Sequence, residues 1–161
     1  METILEELSA GMPDSRQIIR MLIRLLTAAI LGAMVGIQRE RTGKPAGMRT
    51  HILVALGAAL FTLAPQQAGM DSADVSRIIQ GLATGIGFLG GGAILKLSKE
   101  REIKGLTTAA GIWMTAAVGV AAGLGRLGLA LLGAILEWFI LAILIKVEHE
   151  IDGRHEERNT L

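Results

Sequence analysis

The chain lacks cysteine altogether, and aromatic residues make up only 3% of its 161 residues. Without cysteine it has no disulfide bonds, thiolate metal sites or cysteine nucleophiles. The 16 basic and 15 acidic residues nearly cancel, so net charge gives no argument for a nucleic-acid partner. His51, His149 and His155 have no acid or nucleophile at the spacing of a hydrolase or metalloenzyme. We therefore expect no enzymatic activity, no cofactor and no resident metal.

Glycine and apolar residues are abundant instead. The chain has 21 glycines, 51% hydrophobic residues and a mean hydropathy of +0.50. A glycine inside a helix costs roughly 1 kcal/mol relative to alanine in water. A bilayer, however, holds no water to compete for the backbone, and small residues let helices approach closely. This composition predicts helices that pack in lipid. The candidate packing residues are Gly32, Gly36, Gly81, Gly85, Gly87, Gly90, Gly91, Gly92, Gly119 and Gly123.

Five apolar stretches approach the roughly 20 residues that a membrane-spanning helix needs. They cover residues 18–37, 49–64, 78–97, 106–124 and 127–145, and we expect the second to close before Pro65. The sequence therefore predicts an all-α, polytopic transmembrane helix bundle of about five spans. A polar lead (1–17), whose glutamates predict no cleavable signal peptide, precedes the transmembrane domain (18–146). A charged cytoplasmic tail (147–161) follows, either as a solvated helix end or as a disordered segment.

Lysine and arginine are concentrated in two loops, one between the first and second spans and one between the third and fourth. Such loops stay in the cytoplasm, so we expect the N-terminus outside and the C-terminus inside. The stripe of Arg16, Arg20 and Arg24 then lies on the outer side.

The first of these loops holds its charges on a turn that contains glycine and proline. There they suit a lipid head group, a phosphate ligand or an acidic partner surface, and the alternative is that they only set topology. The candidate binding residues of the two loops are Arg39, Glu40, Arg41, Lys44, Arg49 and Lys104. Thr107 and Thr108 follow at a helix start, where they either extend this polar site or cap the helix, and capping is favoured.

Glu137 is the one acidic residue inside the predicted spans. At about 1.5 Å per residue it lies roughly 16 Å beyond Arg126, near the bilayer midplane, where an ionisable group normally has a partner or a function. Its candidate partners are Arg24 and the same glutamate of another protomer. A protonated Glu137 that bonds one nearby hydroxyl would be structural, and a proton-linked role is the alternative. The candidate hydroxyls belong to Thr27, Thr107, Thr108 and Thr115.

Gly85, Gly87 and Gly90 match the spacing of the dinucleotide-binding motif. That motif follows a strand and opens a helix within a βαβ unit, whereas these glycines lie inside an apolar stretch preceded by helix-like sequence. We interpret them as helix-packing residues. Three glycine pairs, 32/36, 81/85 and 119/123, have the four-residue spacing of close-packed membrane helices, within one protomer or between protomers.

Three segments carry a resemblance to a known family: IQRERTGKPAGMRTHILVALGAALFTL, RIIQGLATGIGFLGGGAIL and IKGLTTAAGIWMTAAVGVAAGLG. In their order and spacing they are similar to the membrane domain of the bacterial MgtC/SapB family, over about residues 32–125. Gln38, Gly91 and Met114 depart from the residues that are usual in that family. Longer members add a cytosolic ACT-like domain, for which these 161 residues have no counterpart.

The resemblance implies a multi-pass protein of the bacterial inner (cytoplasmic) membrane, with relatives linked to magnesium homeostasis, virulence and inhibition of the F-type ATP synthase. The partner that the resemblance implies is F-type ATP synthase, and we also expect the lipid bilayer, further copies of the chain in a homo-oligomer and other membrane proteins as partners. We expect a regulator that acts through association with membrane proteins. The alternative is an oligomeric Mg²⁺- or proton-linked transporter or channel. Mg²⁺ is usually bound through one or two carboxylates. The predicted spans offer only the carboxylate of Glu137, which disfavours a self-sufficient Mg²⁺ carrier.

Overall fold

The computed structural model describes residues 14–97 and 102–159, which form five α-helices and one short β-hairpin. The helices are α1 (Ser15–Arg41), α2 (Met48–Gln67), α3 (Ser72–Gly92), α4 (Leu106–Gly123) and α5 (Leu127–Asn159). The hairpin pairs β1 (Leu95–Leu97) with β2 (Glu102–Lys104) in antiparallel fashion. The predicted all-α bundle is confirmed, and the hairpin is a small addition between α3 and α4.

Three of the five described helices have the length and the apolar character of membrane spans. Among the described residues, α1, α2 and α4 are long and apolar enough to cross a membrane, and α5 begins with a shorter apolar stretch, Leu127–Ile143. α3 has 21 residues, but it is less apolar because Arg77, Gln80 and its many glycines offset its aliphatic side chains. Leu53 and Phe88, on outer faces, are 69% and 84% exposed. Outer faces covered with such side chains are unfavourable in water and suit lipid.

Helix α2 lies between α1 and α4, and glycines on both neighbours allow it to pack closely. A side-chain carbon built on three of these glycines would come within 2.5 to 2.7 Å of α2 backbone atoms, and on the fourth it would overlap an α2 carbonyl oxygen. Both contacts are therefore made by backbone against backbone, as in close-packed membrane helices. The glycines are Gly32 and Gly36 of α1, against His51 and Met48, and Gly119 and Gly123 of α4, against Ala55 and Ala59.

Two helix starts are defined by local chemistry. Asp71 caps α3, and its Oδ1 accepts hydrogen bonds from the backbone N–H groups of Ala73 and Asp74 at 2.8 and 2.9 Å. Gly105 precedes α4 with φ of +96°, and a side-chain carbon at this position would overlap the Ala93 carbonyl. This start therefore requires glycine.

Several boundaries differ from the prediction. α3 ends at Gly92, not at residue 97, because the chain turns there into the hairpin. α2 continues past Pro65 to Gln67, since a proline in the last turn removes only one backbone hydrogen bond. α1 begins at Ser15, within the predicted polar lead, while residues 1–13 lie outside the described residues. The backbone of the predicted tail is helical up to Asn159.

Candidate functional site

A cluster of buried polar side chains lies where α1, α2, α4 and α5 meet. Each of its members is at most 5% exposed. Polar and ionisable groups inside a membrane-spanning bundle are costly, so they normally pair with one another or serve a function. The members of this polar cluster are Arg39 of α1, His51 of α2, Thr108 and Thr115 of α4, and Glu137 of α5.

Two hydrogen bonds link the cluster to α4. The Arg39 guanidinium donates from Nη2 to the Thr108 hydroxyl at 2.5 Å. The Thr115 hydroxyl donates to Glu137 Oε1 at 3.1 Å. Thr108 and Thr115 are seven residues apart, so they lie on one face of α4 about two turns from each other. Arg39 acts electrostatically on Glu137, although the two do not form a direct ion pair.

His51 is held in one orientation by its own helix. Its Nδ1 lies 3.1 Å from the Gly47 carbonyl oxygen, which can only accept a hydrogen bond, so Nδ1 carries the proton in the neutral ring. The Nε2 atom is then an acceptor. It is buried without a hydrogen-bond partner, and so is Oε2 of Glu137. Two acceptors from different helices thus remain unsatisfied inside the bundle, which is rare for buried polar atoms.

Gly111 of α4 lies between these two groups. A side-chain carbon on Gly111 would be 3.6 Å from Glu137 Oε1 and 3.8 Å from His51 Nε2. These are ordinary contact distances, so the missing side chain leaves room for a group of about methyl size. The carboxyl group and the imidazole therefore face the same small space.

Arg24, predicted as a partner of Glu137, lies at the other end of the bundle, so that prediction is wrong. Its guanidinium donates to the Gly123 carbonyl at 2.9 Å and to Gln66 Oε1 at 3.4 Å. A cation at the last carbonyls of α4 is favourable for the helix dipole. Of the four candidate hydroxyls, the one that bonds Glu137 is Thr115.

The predicted basic loops are only partly exposed. Arg41, Lys44, Arg49 and Lys104 are exposed, as expected for binding candidates. Arg39 is buried in the cluster, because α1 continues to Arg41 and carries it into the bundle. The Glu40 carboxylate accepts from the Met48 N–H at 3.1 Å at the start of α2. Of the other cations in the loop between the third and fourth spans, Lys99 and Arg101 lie outside the described residues, and the side chain of Lys96 is not described.

Neither threonine caps α4, so the favoured capping role is wrong. The residue before the helix is Gly105, and no side chain caps the backbone of this helix start. Thr107 is exposed, whereas Thr108 accepts from Arg39 and extends the polar cluster into the bundle.

Gln38 also joins α1 to α5. With its amide oriented so that both polar atoms are satisfied, Gln38 donates to the Trp138 carbonyl at 3.2 Å and accepts from the Ala142 N–H at 2.8 Å.

The predicted packing glycines fall into two groups. The glycines of α1 and α4 contact α2. A side-chain carbon built on Gly90 of α3 would lie 3.6 Å from Cβ of Ala109, an ordinary contact. The remaining α3 glycines have open space where a side chain would be. We call these the open α3 glycines: Gly81, Gly85, Gly87, Gly91 and Gly92.

A signal for the cluster exists in the sequence, but it depends on helix faces. Arg39 follows Gly32 by seven residues, so it shares a face with the glycine pair of α1. His51 shares a face with buried Ala55 and Ala58. On α5, Glu137 continues the small-residue series that begins at Ala130 and Ala134. Each polar residue thus extends a stripe of small, buried residues, which predicts burial.

Spanning-length helices, an apolar exterior and a buried polar cluster together define a polytopic helical membrane protein. The profile of the MgtC family matches residues 25–150, and the chain therefore belongs to the MgtC family. No solved structure matches the chain.

Three curated relatives show how far the similarity extends. The chain is 47% identical to SrpB of Synechococcus elongatus over 130 residues, covering 74% of this chain and 71% of SrpB. It is 38% identical to YhiD of Escherichia coli over 145 residues, covering 86% of this chain and 65% of YhiD. It is 41% identical to MgtC of Salmonella typhimurium over 115 residues, covering 71% of this chain and 48% of MgtC. The chain thus spans about half to seven-tenths of these relatives.

Proposed function

We propose that this protein is a regulator in the bacterial inner membrane that acts by lateral association with other membrane proteins, including further copies of itself. The single observation that carries the proposal is the contrast between the two groups of glycines. Those of α1 and α4 are occupied by contacts with α2, whereas the open α3 glycines face no neighbour. Glycines at helix spacing in a membrane helix usually serve close helix–helix contact.

The packing of α3 supports the same proposal. Within α3 only Val75, Ile86 and Gly90 are buried, and the helix packs mainly against α4 and α2. A groove of about 410 Å³ runs beside it between Phe61 and Leu89, with Gly81 and Gly85 in its wall. A second helix that carries one or two large apolar side chains would fit such a groove.

The family gives this association a physiological setting. One relative is named MgtC and another "Putative magnesium transporter YhiD", so we place the regulator in magnesium homeostasis. F-type ATP synthase is the partner that the family resemblance suggests, together with the link to magnesium limitation and virulence. The apolar outer faces of the helices are where a membrane partner would dock.

The test is association of full-length variants with an enlarged α3 surface. Gly85→Leu and Gly87→Leu should reduce both self-association, measured by cross-linking in the native membrane, and co-purification with ATP synthase. Gly128→Leu is the matched control, since Gly128 of α5 also has open space. Gly119→Leu is unsuitable because its side chain would collide with the Ala55 carbonyl inside the protomer. Unchanged association in both α3 variants, with normal insertion, would refute the proposal.

A second candidate function is proton- or magnesium-linked transport by an oligomer, and the buried polar cluster favours it. A carboxyl, an imidazole and a guanidinium inside a bundle resemble the ionisable groups that line ion pathways. Proteoliposomes that contain the purified protein should then show Mg²⁺ or H⁺ flux that Glu137→Gln abolishes. Sealed liposomes with folded protein and no flux would exclude this function.

A further inference from the structure

The space beside Gly111 is where a buried carboxyl group and a buried imidazole from different helices meet. His51 Nε2 and Glu137 Oε2 are both buried and without hydrogen-bond partners. The other carboxyl oxygen, Oε1, and Nε2 lie 3.6 and 3.8 Å from the position that a side-chain carbon of Gly111 would occupy. Two polar groups that face one small space without bonding each other form a place where a bridging water molecule can bind.

The groups cannot satisfy each other without a proton. In the tautomer set by Gly47, Nε2 is an acceptor, and an ionised carboxylate is also only an acceptor. A water molecule donates to both at once, and one added proton converts either group into a donor. One water molecule or one added proton is therefore enough to satisfy the pair.

We propose that the space beside Gly111 binds one water molecule and one exchangeable proton between His51 and Glu137, and we call it the proton site. The proton is held either on the imidazole, with the carboxylate as counter-ion, or on the carboxyl group, with a neutral imidazole. This assignment goes beyond the proposed association function and does not depend on it.

The charges around the proton site suit a single proton. Arg39 of α1 is near enough to act electrostatically on both groups, while α4 contributes the hydroxyls of Thr108 and Thr115. With a neutral imidazole, the guanidinium and the carboxylate balance, and the bound proton raises the net charge of the cluster by one. This site suits a proton better than a metal ion, because the described residues contain no group of three or more His, Cys, Asp or Glu side chains that could hold a metal ion.

A cavity borders the polar cluster at the end of the bundle where Arg39 and Thr108 lie. A cavity of about 430 Å³ between α2, α3 and α4 is lined by Pro45, Ala46, Thr50 and Thr108 among others. Thr108 is at once part of this cavity and the hydrogen-bond acceptor of Arg39. Water that entered this cavity from the side of the first basic loop would meet Thr108, the hydrogen-bond acceptor of Arg39.

The experiment follows protonation of both groups in the full-length protein in lipid nanodiscs. Histidine NMR signals report the imidazole, and replacing His149 and His155 by glutamine leaves the signal of His51 alone. Infrared absorption of the protonated carboxyl group, assigned by its loss in Glu137→Gln, reports the other partner. When two groups are coupled, the protonation states of both change over a shared pH interval.

Gly111→Ala is the decisive variant because it keeps both side chains and fills the space between them, with contacts no shorter than 3.6 Å. In the otherwise unchanged protein, Glu137→Gln should move the titration midpoint of His51 by about one pH unit or more. In the Gly111→Ala background, that shift should fall to a small fraction, because the added methyl group displaces the bridging water. Gly128→Ala, at an open position, should leave the coupling unchanged.

Two results would overturn the proton site. One is a His51 titration that is the same with and without the Glu137 carboxyl group. The other is coupling that persists undiminished in Gly111→Ala. If Glu137→Gln does not yield folded protein, the His51 titration of Gly111→Ala decides, and a midpoint equal to that of the otherwise unchanged protein overturns the proposal.

Discussion

Replacing Gly32 by alanine tests the close packing of α1 on α2. The added carbon would lie 2.7 Å from the His51 carbonyl oxygen and 3.1 Å from Ala55 Cβ. The obstructing atoms belong to a helix backbone, so they cannot rotate away as a flexible side chain would. To reach ordinary contact the two helices must separate by about 0.7 Å, and a gap of that size forfeits roughly a quarter to a half of each dispersion contact at the interface.

The expected cost of Gly32→Ala is about 1–3 kcal/mol, as for other overpacked interiors. Alanine is also a better helix former than glycine by roughly 1 kcal/mol, which opposes this cost and has to be removed by a control. Gly57→Ala is the matched control, because Gly57 is also inside a helix and has nothing within 4 Å of an added carbon. The difference between the two variants isolates the packing term.

The measurement is reversible unfolding of the purified protein by a denaturing detergent, followed by tryptophan fluorescence, with thermal unfolding as a second readout. Gly32→Ala should be less stable than Gly57→Ala, and each kcal/mol corresponds to about 2–4 °C in Tm for a chain of this length. If the two variants unfold at the same detergent concentration and temperature, the close contact between α1 and α2 does not exist in the folded protein.

Three further substitutions probe single hydrogen bonds. Arg24→Met removes the guanidinium that bonds the Gly123 carbonyl, and unfolding should show a loss of about 1.5–3 kcal/mol; wild-type stability would contradict the contact. Asp71→Ala removes the cap of α3, with an expected cost of about 1 kcal/mol, seen as faster amide hydrogen exchange confined to the first turn. Thr108→Val deprives buried Arg39 of its hydrogen-bond acceptor and should lower the free energy of unfolding by about 1.5–3 kcal/mol. Thr108→Ser keeps the hydroxyl and should keep most of that stability.

Much of the fold could be predicted from the sequence because lipid imposes a simple rule on it. A spanning segment has to be apolar and helical, so long uncharged runs locate the helices without reference to their neighbours. This rule did not predict the β-hairpin. β1 and β2 have three residues each, which is too few for an alternating pattern of apolar and polar residues to be recognised. Its apolar residues therefore read as the continuation of α3.

The candidate site was harder to predict because its residues come from four helices. The sequence singled out Glu137, and it named Thr115 as one of four candidate hydroxyls. Arg39 was assigned to an exposed loop, because its neighbours along the chain are charged. What decides its environment is the face of α1 that it shares with Gly32, and this face is known only when the helix is known to continue through Arg41.

The glycines of this protein shape the polar cluster as well as the packing, and His51 shows how. Its backbone lies against Gly32 of α1, where a side chain would come within 2.7 Å of its carbonyl oxygen. Its ring lies across the space beside Gly111 of α4 from the Glu137 carboxyl group. A larger residue at the first position would push α2 away from α1, and one at the second would fill the space that the two acceptors share. The same small residues that let these helices approach closely therefore also set the distance between an imidazole and a carboxyl group. The Gly32→Ala variant should for this reason alter the titration of His51 as well as the stability of the bundle, whereas Gly57→Ala should alter neither the titration nor the packing.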